Sequence, residues 1–257
     1  MSGMTEEAIS VLQIYDQCIL KRCENIGPVL SKEACSCVIL PSGKNCEKLG
    51  KVILPGHEIA APLCTTCTKI DAESFRITQI KVCSILPAAQ KAGFWSADVV
   101  LSFAFSLQLL NAAGVPFQIV CCQDIPHDTE PAAERTWIKA GLSCRFSVTL
   151  FGGAEPPIKL FTTNGEECSS LRFLVNAEAL PLKAWLKPSC CWGPYDEPCN
   201  YVYAAVGMIG TVQLARSTCQ KVCSSKIMKP RECDVCGHTP CEYFQKMKFP
   251  NEQFYPV

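Results

Sequence analysis

The chain has 257 residues, with 24 basic and 24 acidic side chains mixed along it and a formal net charge of +0. That length buries a core without covalent help, and that charge balance gives no electrostatic footprint for nucleic acid or an anionic membrane while favouring self-association. Set against this are 20 cysteines, a density expected of small disulfide-stapled scaffolds, which a chain of this size has no need to be.

At the N-terminus, MSGMTEEAISVLQIYDQC puts two acids before a short apolar run. An export signal would carry basic residues, a longer apolar core and a small-residue cleavage site. Synthesis in the cytoplasm without a signal peptide is therefore expected. The longest apolar stretches, VVLSFAFSLQLL from Val99 and YVYAAVGMIGTVQLA from Tyr201, are too short or too interrupted to cross a bilayer as helices, so no membrane span is expected.

In chain order, period-two alternation and β-branched or aromatic residues predict strands at SVLQIYDQCI (10–19), FRITQIKVCSI (75–85), SADVVLSFAFSLQLL (96–110), PFQIVCCQDI (116–125), RFSVTLFG (145–152), IKLFTT (158–163), LRFLVNAEALPLKAWL (171–186) and YVYAAVGMIGTVQLAR (201–216). Helical periodicity is weak, apart from DTEPAAERTWIKAG, where Pro131 is placed to start one or two turns and Gly141 to end them. The expected fold is all-β, an antiparallel β-sandwich, either one elongated body or two lobes divided near 162–168. Residues 1–228 form the β-rich core in this reading. Residues 229–257, rich in Cys, Pro and aromatic side chains without a period, read as an irregular tail that docks on its own domain or on a neighbour.

Cys35 and Cys37 would share one face of an extended segment, whereas adjacent Cys121 and Cys122 in a strand point to opposite faces and are poorly placed to bond each other. Cys190 and Cys191 pose the same question in a loop. Counted with Cys18, Cys23, Cys46, Cys64, Cys67, Cys199, Cys219, Cys223, Cys233, Cys236 and Cys241, these are the candidates for disulfide cross-links, concentrated at strand ends and loops. The plainer alternative is that many are buried free thiols filling a core.

CDVCGHTPC offers Cys233, Cys236, His238 and Cys241, a donor set suited to tetrahedral zinc but crowded into one short turn of chain. Disulfide hooks are the preferred reading there, with zinc the alternative and no other cofactor expected. Cys64 and Cys67 make a CxxC that would be a redox motif if it opened a helix, but the residues after it read as loop and strand. His57, His127 and His238 lie in loop-like sequence away from any nucleophile or acid constellation. No GxSxG, phosphate-binding loop or dinucleotide fingerprint is present, and FGGAEPP at Phe151 reads as a turn. An enzyme is not expected.

The order and character of LQIYDQCILKRC, GFWSADVVLSFAFSLQL, RFSVTLFGG, AEALPLKAWL, VGMIGTVQLAR and MKPRECDVC resemble the CsxA-like family of cysteine-rich clostridial exosporium proteins, from Val11 to about Cys236. The resemblance implies a structural protein of the spore surface, in exosporium or outer coat. Such a protein is made in the mother-cell cytoplasm and assembles with itself, and with other spore-surface proteins, into a paracrystalline layer. It implies no catalytic residues. Two rival classes stay open: a zinc-binding or redox module, and a monomeric ligand-binding β-sandwich displayed on the spore.

Overall fold

A computed structural model describes residues 9–40, 50–89, 91–122, 135–161, 167–188, 199–220 and 231–232. Among them there is no helix. The strands in chain order are β1 (Ile9–Ile26), β2 (Leu30–Ser31), β3 (Cys37–Ile39), β4 (Lys51–Ile53), β5 (Ala60–Ala61), β6 (Thr65–Ile70), β7 (Arg76–Pro87) and β8 (Phe94–Asn111). They continue with β9 (Ile119–Cys121), β10 (Ile138–Phe151), β11 (Lys159–Phe161), β12 (Glu167–Ser169), β13 (Leu171–Pro188), β14 (Asn200–Gln220) and β15 (Arg231–Glu232). No helix among them is long and apolar enough to cross a membrane.

Two sheets face each other. The first runs β13-β14-β1-β15, with β5 on β14, and the second runs β2-β10-β8-β6, with β7 also on β8. Alternation decides which side of each strand turns inward. In β8, Trp95, Ala97, Val99, Leu101, Phe103, Phe105, Leu107 and Leu109 are buried; in β10, Ile138, Ala140, Leu142, Cys144, Phe146, Val148 and Leu150. They meet Cys18, Leu20, Val202, Ala204, Val206, Met208, Val212 and Leu214 of β1 and β14 in one continuous cluster that draws on residues from both sides of 162–168. Each large side chain fully removed from water there contributes about 1.5–3 kcal/mol. The fold is thus an all-β, antiparallel β-sandwich, as its alternating sequence predicts.

The helical turn expected to end at Gly141 is overturned by β10, which runs straight through that position. Gly141 is needed for a different reason: a Cβ there would meet Phe103 O of β8 at 2.9 Å and the Lys32 side chain at 2.6 Å. The glycine permits close backbone approach within a sheet.

At the end of the sandwich the FGG segment turns as expected, with Gly153 at φ 83° in the left-handed region. Buried Arg216 of β14 fastens this corner, its Nε donating to Gly152 O at 2.6 Å and its Nη2 to Glu155 O at 2.5 Å. Trp95 Nε1 donates to Gly153 O at 3.0 Å. Asp16, just after a bulge in β1, accepts from Phe151 N at 2.9 Å and so ties the first sheet to the end of β10.

Outward, the second sheet is hydroxyl-rich. Ser96 and Thr149 are 2.7 Å apart across the strands, and Ser102 and Ser143 are 3.1 Å apart. Ser147 donates to Asp98 at 2.6 Å, and Arg145 donates to the same carboxylate at 2.5 Å. These bonds hold the Asp98 carboxyl below its ordinary 3.8, Ser147 first and Arg145 next. A depressed value means a stabilising contribution present above that ordinary value and lost as pH falls through the folded midpoint. Following Asp98 by carbon-detected NMR titration, we expect a midpoint under 3.8 in the native chain, moving up toward it in Ser147→Ala and Arg145→Ala.

Candidate functional site: the sulfur clusters

Four cysteines, Cys35, Cys37, Cys121 and Cys122, lie on or next to a small three-stranded ribbon, β4-β3-β9. The alternation Cys37-Val38-Ile39 buries its first and last residues, and Ile53 and Ile119 close over them. Cys37 lies directly opposite Cys121 in the antiparallel register and is bonded to it, with S–S 2.05 Å and Cα–Cα 4.0 Å across a sequence separation of 84. Both are buried.

Glu33 and Arg135 flank that bond. β2 pairs with β10, and Lys32 N donates to Lys139 O at 2.8 Å, which sets the next residue, Glu33, beside the start of β10. Its buried carboxylate accepts from Lys139 N at 2.5 Å and from the Arg135 guanidinium. Arg135 also donates to Trp137 O at 2.9 Å and to Cys121 Sγ at 3.2 Å. A carboxylate this far out of water is tolerable only with such partners.

Glu33, Cys37 and Cys121 place their ligand atoms within 4.8 Å of one another. The donors do not suit a cation in this state, since the two sulfurs are spent on each other and the carboxylate already faces a guanidinium. The zinc candidates Cys233, Cys236, His238 and Cys241 lie outside the described residues.

The other cysteines divide by environment. Cys18 and Cys23 of β1 and Cys64 are also disulfide-bonded. Cys35, Cys67, Cys83, Cys122, Cys144 and Cys199 carry free thiols. The CxxC is therefore not a closed pair: Cys64 is bonded elsewhere while Cys67 is exposed on β6, a strand and not a helix opening. Cys121 and Cys122 do part company as adjacent strand residues should, one buried in its disulfide and the other exposed. Cys35 does not follow Cys37, because a bend at 34–35 takes it out of the extended run. Cys46, Cys190, Cys191, Cys223, Cys233, Cys236 and Cys241 fall outside the described residues, as do the side chain of Cys219 and the histidines His127 and His238.

Two positions escaped the sequence reading. Cys144 sits mid-strand in the core, where its Sγ lies 3.6 Å from Met208 Sδ and burial pushes its thiol up to about 11. It is the plain core thiol, unreactive at neutral pH. Cys83 is the opposite case. Register shifts in β7 leave Thr78 and Cys83 as extra residues, so that Ile77, Val82 and Ile85 all oppose inward residues of β8 although their spacing breaks strict alternation. The second bulge presents Cys83 to solvent beside Arg145. A break in the apolar period at KVCSI is the signal that could have found it.

Compared with family models, curated proteins and solved structures, the chain matches none.

The Cys37–Cys121 bond closes a loop of 84 residues. In the chain-entropy account a loop of that length corresponds to about 4.6 kcal/mol. Paired Cys37→Ala and Cys121→Ala substitution should lower unfolding free energy by about that much in a denaturant titration.

Proposed function

We propose that this protein is a structural building block of a bacterial spore surface layer, exosporium or outer coat, that self-assembles into a disulfide-cross-linked sheet giving mechanical and chemical protection. The observation that carries this reading is the division of labour among the sulfurs. Buried bonds such as Cys37–Cys121 fasten the body, while Cys67 and Cys83 stay free and exposed on β6 and β7, the last strands of the second sheet.

Sheet ends are where a neighbouring copy can add itself. The exposed apolar side chains Ile80 and Leu86 of β7 and Leu174 and Leu180 of β13 add a sticky surface at this end of the sandwich. The zero formal charge leaves little repulsion between copies. Packing then aligns the copies, and covalent bonds follow: two thiols of adjacent copies lose two protons and two electrons to an oxidant such as dioxygen or a small-molecule disulfide. Once aligned, thiols meet at high effective concentration, and the finished layer resists heat and denaturant because dissociation requires chemistry.

Of the tail, Arg231–Glu232 are described, and they pair in parallel with Cys18 and Ile19 of the chain's own β1.

Air-oxidised protein run on a non-reducing denaturing gel should form ladders of high molecular weight that collapse to one band on thiol addition. A single monomer band before reduction would instead favour a displayed ligand-binding sandwich. Stoichiometric zinc in the purified chain, with no ladder, would favour a metal module.

A further inference from the structure

Beside the buried bond is a second pair of cysteines that the lattice reading does not use. Cys122 N donates to Ser36 O at 3.2 Å, continuing the β3–β9 ladder one step past its last strand residue. That bond brings Cys122 alongside the bend that holds Cys35. The Cys35 side chain, first, and desolvation, second, raise the Cys122 thiol above the ordinary value of 9.0. Both sulfurs are reduced, Cys122 exposed and Cys35 half-buried, one residue along the chain from Cys121 and two from Cys37 respectively.

We propose that Cys35 and Cys122 form a reactive dithiol that closes into a second disulfide, next to the first, when the protein meets a small-molecule disulfide of the glutathione class. One protein thiolate attacks a sulfur of the small disulfide, making a mixed disulfide and expelling one small thiolate. The second protein thiolate attacks the protein sulfur of that mixed disulfide, forming Cys35–Cys122 and expelling the other small thiolate. Two electrons pass to the small disulfide, and the two protons lost by the protein thiols end on the small thiols.

The exchange stays at the outer pair because Cys37 and Cys121 are 0% and 2% exposed, which leaves an incoming thiolate no path to their sulfurs. Thiolate is the attacking species, so closure accelerates with rising pH. The product is a two-rung clamp across the β3–β9 ribbon. It also withdraws Cys35 and Cys122, both offered by the sequence as hooks, from any bond to another copy. This holds whether or not the protein builds a lattice, since both sulfurs belong to one chain.

The test treats the native full chain, and separately Cys35→Ser and Cys122→Ser, with oxidised glutathione at mildly alkaline pH, followed by non-reducing digestion and mass spectrometry. In the native chain we expect both thiols to disappear into one Cys35–Cys122 linkage with no lasting glutathione adduct at either position. Cys122→Ser should instead accumulate a stable adduct at Cys35, and Cys35→Ser one at Cys122, each reversed by added thiol. Native protein that retains free thiols or adducts at both positions overturns the proposal, as does Cys35 or Cys122 bonded to any other cysteine or to a second copy. The native chain decides the matter without the variants, so misfolding of either one changes nothing.

Discussion

The apolar layer between β8 and β10 on one side and β1 and β14 on the other is the constraint on which everything else rests. It is large enough to hold a chain of this length together, and it is filled by aliphatic and aromatic side chains in one connected cluster. Sulfur is therefore free to do something other than rescue a weak core. Within that layer, among the described cysteines, Cys144 is the buried free thiol, its Sγ 3.6 Å from Met208 Sδ across the sandwich. The disulfide at Cys37–Cys121 lies in a short three-stranded ribbon whose inward residues Ile39, Ile53 and Ile119 belong to the same core cluster.

That ribbon shows how several weak devices combine. β3 and β9 contribute three residues each, and the Glu33 carboxylate meets Arg135 and Lys139 N. The guanidinium of Arg135 serves carboxylate, carbonyl and sulfur together, which fixes the path of the chain entering β10. Removing Arg135 would strand the buried Glu33 carboxylate, whereas Arg135 itself is partly exposed.

The sheets were legible in the sequence because the long strands bury one face and expose the other. Every long run of alternation, from SVLQIYDQCI to YVYAAVGMIGTVQLAR, contains or overlaps an observed strand. β2, β4 and β5 were not legible, since two or three residues carry no period. The supposed helix end at Gly141 failed because a glycine required by backbone crowding looks, in sequence, like a glycine that stops a helix. Cys83 was missed because a bulge changes which residues face outward without changing composition. The opposite fates of Cys121 and Cys122 followed from strand geometry alone. The partner of Cys121 did not, for nothing local in a chain says which cysteine 84 residues away will face it.

The body is fastened internally, and Cys67 and Cys83 are left reduced and exposed on β6 and β7. The most direct measurement is to oxidise an equal mixture of ordinary and nitrogen-15-labelled chains and to look for hybrid disulfide-linked peptides. The account predicts hybrid pairs containing Cys67 or Cys83. Linkages found only within single-isotope chains, with Cys67 and Cys83 still reduced, would contradict it.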